Sequence, residues 1–394
     1  MTKDMPGHNE NLRLAALGIG ASALAFVLFG GLGSMGSKGS AEPLDAMPKS
    51  SFLVATLDLE ELRRSPVYEA AFGKESKDAK AADPFRSALG MESLADACGF
   101  DPLGRVQRLA VSLPEEGERG AFGLAARVDV TRDELERCTR AITEKRGQDG
   151  AKVEPKQVGS FAVVEGGTGA QKSRLGYGSG GLLVVGKGAW FDAMIGAADH
   201  TSPGARDAEE HAKLRTTLTA PPGWKRPTLV ATAILPKSLR ERLKGEMGAE
   251  VGAADPSNAS MGGVLGVSAV GVALQAGGPG RATEVAVELV CDTGAACEMV
   301  EKLVLKKRLE LSKELTIRMV GLGPLIDSVE VKRDGAKLRA TASADAAALA
   351  GTLERILKLR SAKKQPPLPP IPREPDDPRP PRPDESIPSK RGPM

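Results

Sequence analysis

Few residues of this chain have the types and spacing that catalysis or metal binding requires. The sequence has 394 residues but only three histidines and four cysteines. Two histidines follow carboxylates in one polar stretch, as Asp199-His200 and Glu209-Glu210-His211. A zinc site takes three or four ligands at defined spacing, and neither a helical histidine pair nor a Cys-x-x-Cys accompanies these residues. We therefore predict that both histidines lie in a surface linker, with no metal site and no cofactor.

Two glycine-rich segments match phosphate-binding loops only in part. Gly31–Gly36 spells G-x-G-x-x-G, but it ends an apolar run and does not follow a strand. Glu165–Ser173 ends in Lys-Ser, yet Gln171 stands where a glycine must approach the phosphates. Neither segment leads into a helix whose N-terminus would face an anion. Both are interpreted as flexible connections, and no nucleotide site is predicted.

The remaining candidates for catalysis are equally incomplete. Ser268 lacks the second glycine of a G-x-S-x-G nucleophile elbow. Asp58, Glu60 and Glu61 lie at the predicted start of a helix, where carboxylates interact favourably with the helix dipole. The sequence therefore favours a non-catalytic binding, sensing or scaffold module. An extracytoplasmic enzyme of unrecognised class is the alternative.

Composition argues against a nucleic-acid partner and permits a sizeable core. Lys and Arg number 54 against 51 Asp and Glu, a net charge of +3 with no long basic block. Aromatic residues that would stack on bases make up only 3% of the chain. Because 41% of the residues are apolar, a core built largely from Ala, Val and Leu is expected.

One apolar segment is long enough to cross a membrane. Leu14–Leu32 carries no charge, and at about 1.5 Å per residue it reaches about 28 Å. We predict a transmembrane helix or uncleaved signal anchor over residues 14–33, after a short leader over residues 1–13. A cleaved signal peptide, with Gly39–Ala41 as its cleavage site, and a buried core helix are the alternatives.

The orientation of this segment rests on its position in the chain. Positive residues are balanced, with Lys3 and Arg13 before it and Lys38 and Lys49 after it. A short leader before the first apolar segment is typical of an export signal. The prediction is a single-pass protein of the bacterial cell membrane with its body outside the cytoplasm, in the periplasm.

The cysteines leave the compartment open. Cys291 and Cys297 are close enough in sequence to close a small disulfide loop. Cys138 shares an apolar helical face with Leu135 and Ile142, which predicts a buried thiol. The state of Cys98 is not predicted.

Short segments in the body of the chain recur in the same order, which predicts an internal duplication. Chance recurrence of Ala- and Val-rich tetrapeptides is the alternative. Leu53–Thr56 (LVAT) recurs as Leu229–Thr232, and Ala81–Pro84 (AADP) recurs as Ala253–Pro256, in the same order. We predict two similar α+β domains of split-βαβ type with mainly antiparallel sheets. Copy 1 covers residues 49–205, a linker covers 206–224, and copy 2 covers 225–362.

Alternating apolar residues and helical periodicity give each copy its elements. In copy 1 we predict a helix over Asp133–Lys145, strands over Phe161–Glu165 and Leu182–Val185, and a helix over Trp190–Ala198. In copy 2 we predict a helix over Ala295–Lys307, strands over Leu315–Val320, Ser328–Lys332 and Lys337–Thr341, and a helix over Asp345–Leu359.

Two tethers flank the copies. Residues 34–48 are rich in Gly and Ser, which predicts a flexible linker. The last 30 residues, from Gln365, contain 12 prolines that cannot contribute N–H groups to a helix or sheet. We predict a solvated, disordered Pro-rich tail over residues 363–394, and a docking strip for a protein partner is the alternative.

One segment resembles a known group of proteins. Met47–Asp58 (MPKSSFLVATLD) resembles the opening of uncharacterised bacterial membrane-anchored extracytoplasmic proteins, where a proline, polar residues and a strand ending in Asp follow a membrane helix. Cys98–Leu103 adds to the resemblance as a helix end and turn. The resemblance implies a membrane-tethered protein of unknown function and names no catalytic residue.

Overall fold

A computed structural model describes most of the body of the chain. The described residues are 42–70, 95–96, 98–115, 121–145, 155–166, 173–219, 224, 227–242 and 264–362. The predicted membrane helix over residues 14–33 and the predicted tail over 363–394 lie outside these ranges. Within them, no helix combines the length and the apolar character that crossing a membrane requires.

The described strands form one antiparallel sheet of twelve strands. Their bounds are β1 (Ser51–Asp58), β2 (Val106–Pro114), β3 (Gly123–Val128), β4 (Lys156–Val158), β5 (Phe161–Gly166), β6 (Ser173–Tyr177), β7 (Leu182–Gly186), β8 (Leu229–Ile234), β9 (Val267–Gln275), β10 (Ala282–Cys291), β11 (Glu330–Asp334) and β12 (Lys337–Asp345). The order across the sheet is β11-β12-β10-β9-β8-β1-β2-β3-β7-β6-β5-β4. The predicted α+β class with antiparallel pairing is confirmed.

The two predicted copies share this sheet. Strands β1 and β8, which carry the repeated LVAT segments, pair antiparallel with Thr56 opposite Val230. Outward from this joint, β1-β2-β3-β7-β6 mirrors β8-β9-β10-β12-β11, and β4 and β5 extend the first half. This order agrees with a duplication, while superposition of the two halves stays a prediction. The halves are not two separate sheets, because the joint pairs their first strands with each other.

Helices pack on both faces of the sheet. Their bounds are α1 (Leu59–Arg63), α2 (Pro66–Tyr68), α3 (Pro102–Arg105), α4 (Arg132–Lys145), α5 (Gly188–Ala198), α6 (Glu209–Thr219), α7 (Gly294–Lys313), α8 (Leu315–Val320), α9 (Gly323–Asp327) and α10 (Ala346–Ala362). On one face, α5 covers β7 and α6 covers β8 and β9. On the other face, α4 contributes Leu135 to the core of the first half, and α7 contributes Val300 to the core of the second.

Three expectations about these elements were wrong. Leu315–Val320 is a helix and not a strand: it packs against α7 and α10, and Gly321 caps its C-terminus in a left-handed conformation (φ 92°). Residues 206–224 are not simply a linker, because α6 forms there and buries Leu214 and Leu218 against the sheet. The linker predicted over 34–48 is packed from residue 42 onward, where Met47 is fully buried.

The cysteines form two disulfides. Cys291 bonds to Cys297, which confirms the small loop that their spacing predicts. Cys138 is buried as predicted, but it is not a free thiol, since its sulfur bonds to Cys98. This second bond ties the segment before α3 to α4 across 40 residues of chain.

Candidate anion-binding cleft

A polar cleft lies at the joint between the two halves. Since side chains alternate along a strand, one row of neighbours crosses the sheet on the face that carries α6. The row consists of Arg108 on β2, Asp58 on β1, Thr228 before β8, Gln275 at the end of β9 and Glu284 on β10. Two neighbouring pockets lie along this row, with volumes of about 480 Å³ and about 1010 Å³, and Asp58 and Arg108 line both. We call these pockets the Arg215 lobe and the Trp224 lobe of the cleft.

Helix α6 forms one wall because the sheet beneath it lets it approach closely. Leu218 is fully buried against Val230, Ala273 and neighbouring core residues. A Cβ at Gly271 would lie 2.6 Å from Cδ1 of Leu218, closer than packed carbon atoms approach. The glycine therefore leaves room for the Leu218 side chain beneath α6, the helix that carries Arg215.

Arg215 is a partly buried cation with an unused donor. Its Nη2 donates a hydrogen bond of 2.5 Å to the Thr56 hydroxyl. Its Nη1 is buried and has no hydrogen-bond partner. Burial, together with the smaller effect of the nearby Arg206, lowers the pKa of Arg215 to about 10. The guanidinium is still protonated at neutral pH, and among the described residues no carboxylate forms an ion pair with it.

His211 lies one turn before Arg215 and has a structural role. It is 2% exposed, so the prediction that it lies in a surface linker was wrong. Its Nε2–H donates to the Ser51 carbonyl at 2.9 Å, and its Nδ1 accepts from the Thr232 hydroxyl at 2.8 Å. Burial lowers the pKa of His211, which keeps the ring neutral. The ring thereby links α6 to both central strands.

The other charges near Arg215 are already paired. Arg108 forms ion pairs with Glu42 at 2.5 Å and Asp58 at 3.4 Å, and the hydrogen bond to Glu42 raises the pKa of Arg108. Arg206 pairs with Asp45 at 2.6 Å. Arg215 is thus the cation of this lobe that lacks a counter-ion among the described residues.

The Trp224 lobe is polar and mixed in charge. Trp224 packs on the core under α6 and donates its indole N–H to Glu284. The Oε1 of Gln275 is buried without a hydrogen-bond partner. Further out, Arg64 pairs with Glu60 and Glu61 at 3.1 Å each.

The residues singled out from the sequence have structural roles or lie elsewhere. Asp58 caps α1 by accepting from the Glu61 amide at 2.9 Å, which confirms its predicted place at a helix start. Ser268 donates to the Val290 carbonyl at 3.2 Å. His200 has a positive φ of 57° in the turn after α5. Residues 167–172 of the second glycine-rich segment lie outside the described ranges, as does Gly31–Gly36. No cluster of three potential metal ligands occurs within the described ranges.

Sequence reasoning missed Arg215. A signal was present, because His211, Leu214 and Leu218 recur at the three- and four-residue spacing of a buried helical face. Arg215 directly follows Leu214, next to that face. Once Glu209–Thr219 is assigned to a helix, the sequence places the cation Arg215 beside this buried face.

Comparison with known proteins adds little. The sequence matches no protein family and no curated protein. Two solved structures of TP0453 align with it, each at 8% sequence identity. Crystal form IV has a TM-score of 0.40 and covers 80% of this chain and 97% of that chain. Crystal form I has a TM-score of 0.37 and covers 81% and 99%. Similarity at this level carries no argument about the function of this chain.

Proposed function

We propose that the body is a non-catalytic binding module that takes an acidic group, a carboxylate or a phosphate, at Arg215. One observation carries the proposal: Arg215 lines the cleft, its Nη1 is buried without a hydrogen-bond partner, and its guanidinium has no carboxylate partner among the described residues. We further propose that Leu14–Leu32 anchors this body to a bacterial cell membrane, on the extracytoplasmic side.

The energetics favour a ligand that brings negative charge. Burying an unpaired charge costs several kcal/mol unless a partner compensates it. Guanidinium groups bind carboxylates and phosphates through two parallel N–H bonds. At Arg215, Nη1 is free for one such bond, and the Thr56 hydroxyl beside Nη2 adds a further polar contact. These groups therefore make Arg215 a preorganised site for an anion.

The disulfides support a location outside the cytoplasm. Cys98–Cys138 and Cys291–Cys297 pair all four cysteines of the chain. Such bonds persist in the periplasm and are rare in the reducing cytosol. This pairing fits the export signal predicted at residues 14–33.

We expect a reporter that is active only in the periplasm to be active when fused after Ala362. The reason is that the short leader before Leu14–Leu32 predicts export of everything after it. Reporter activity in whole bacterial cells is the measurement. Activity of a cytoplasm-specific reporter at the same position, with a silent periplasmic one, would reverse the proposed topology.

We expect phosphate or acetate to stabilise the full chain through Arg215. An anion at ten times its Kd adds about 1.4 kcal/mol to the free energy of unfolding. The measurement is thermal unfolding in neutral detergent, at constant ionic strength set with chloride, of the wild type and of Arg215→Met. The variant is expected to lose the anion-dependent gain, because it keeps the aliphatic stem and removes the guanidinium.

Arg206→Met is the matched control, since Arg206 lines the same lobe but is already paired with Asp45. It is expected to keep most of the anion-dependent gain. The phosphate and acetate arms separate the two sources of negative charge. Equal stabilisation of the wild type and Arg215→Met would exclude Arg215 as the anion site.

A further inference from the structure

The two lobes of the cleft complement each other in charge. The Arg215 lobe is lined by more guanidinium groups than carboxylates. The guanidinium groups are those of Arg108, Arg206 and Arg215, and the carboxylates are those of Glu42 and Asp58. In the Trp224 lobe the balance reverses, where four carboxylates face three guanidiniums: Asp58, Glu60, Glu61 and Glu284 against Arg64, Arg108 and Arg281. A ligand that spans the cleft therefore needs an acidic end and an end that donates hydrogen bonds.

Gln275 defines what the second end must offer. Its buried Oε1 has no hydrogen-bond partner, and leaving a buried acceptor without a donor destabilises the protein. It lies in the floor of the Trp224 lobe at the end of β9. A neutral N–H group of a ligand pairs with this oxygen, without adding charge, when the Gln275 side chain turns it toward the lobe.

The sheet sets the spacing between Thr56, the residue below Arg215, and Gln275. Thr56, below Arg215, and Gln275 are two strands apart and one same-face step apart along the strands. With about 4.8 Å between strands and about 3.3 Å per residue, their Cα atoms lie about 12 Å apart. An extended chain of three to four amino acids covers this distance.

We infer that the ligand is the C-terminal end of a polypeptide, and this inference rests on the proposed function. The peptide's carboxylate would bind Arg215, and one of its backbone N–H groups would donate a hydrogen bond to Gln275. An extended peptide offers one acidic end and N–H groups at a regular spacing of about 3.3 Å per residue. The indole of Trp224 supplies an apolar wall in the Trp224 lobe, which Gln275 also lines. Flat aromatic walls of this kind contact peptide side chains with little loss of conformational entropy.

The test uses three probes on the full chain in neutral detergent: N-acetyl-tetraalanine with a free carboxylate, the same peptide with a C-terminal amide, and acetate. Isothermal titration calorimetry measures each Kd at constant ionic strength. The free-acid peptide is expected to bind at least about tenfold more tightly than acetate. The amide is expected to lose at least about tenfold, because a charged hydrogen bond to Arg215 disappears.

Gln275→Met separates this inference from the proposed function. The variant removes the amide acceptor and keeps a side chain of similar length, so peptide binding is expected to weaken about fivefold while acetate binding stays unchanged. Gln157→Met is the matched control, because Gln157 is exposed and far along the sheet on β4. It is expected to leave all three Kd values unchanged.

Two outcomes overturn the inference without touching the proposed function. The first is Arg215-dependent binding of acetate with no tighter binding of the free-acid peptide. The second is peptide binding that is tighter than acetate binding but is weakened neither by the C-terminal amide nor by Gln275→Met. If neither acetate nor phosphate binds in a manner that depends on Arg215, the proposed function itself fails.

Discussion

Replacing Cys98 and Cys138 together by alanine is expected to lower the free energy of unfolding by about 4 kcal/mol. The bond closes a loop of 40 residues, and a loop of that length loses about this much entropy in the unfolded chain when it is cross-linked. Urea unfolding of the full chain without reductant measures the effect. Dithiothreitol added to the wild type is expected to reproduce part of it.

The second disulfide provides the internal comparison. Cys291 and Cys297 are six residues apart, so the same relation gives a loss of about 2 kcal/mol for their double replacement. Both variants remove two sulfur atoms, which leaves loop length as the main difference. A Cys98/Cys138 variant as stable as the wild type would show that this bond is absent in the folded protein.

Leu218→Ala is expected to destabilise the protein by about 3–5 kcal/mol and to weaken anion binding. Leu218 is fully buried between α6 and strands β8 to β10, and a cavity at such a site adds to the lost transfer free energy. Because α6 carries Arg215, loosening its contact with the sheet disturbs the site as well. Urea unfolding gives the stability, and calorimetric titration with phosphate gives the Kd.

Leu309→Ala is the matched control, because the same atoms are removed from a side chain that is 60% exposed on α7. A change within about 0.5 kcal/mol is expected there. If the two variants lose equal stability, α6 does not pack on the sheet as described.

The sequence predicts those elements whose pattern is set locally. The closing helix α10 was expected over Asp345–Leu359 and occupies Ala346–Ala362, because Leu349, Leu353 and Ile356 form one apolar stripe. The hairpin strands β5 and β7 were found within a residue of their predicted ends. Their alternating or continuous apolar runs leave little choice of conformation.

The features that the sequence could not supply depend on contacts distant along the chain. The pairing of β1 with β8 merges the two copies into one sheet, and no local pattern specifies it. Leu315–Val320 contains β-branched residues, yet it forms helix α8, which packs against the distant helix α10.

The candidate site is hidden from the sequence for the same reason. Arg215 belongs to no recognisable motif. Its place in the cleft becomes apparent only from its hydrogen bond to Thr56, which is 159 residues away. Gln275 likewise becomes informative only when its oxygen is seen to be buried without a partner. Long-range strand order, and not residue type, creates this cleft.

The most direct test of the central claim is an anomalous difference map from crystals of the full chain soaked in selenate, a phosphate-like oxyanion. We expect a selenium peak in the Arg215 lobe, with an oxygen about 3 Å from Nη1 of Arg215. The peak is expected to vanish in Arg215→Met and to persist in Arg206→Met. Selenium peaks found only at exposed lysines and arginines, or a lobe peak that survives Arg215→Met, would contradict the assignment of Arg215 as the site for an acidic group.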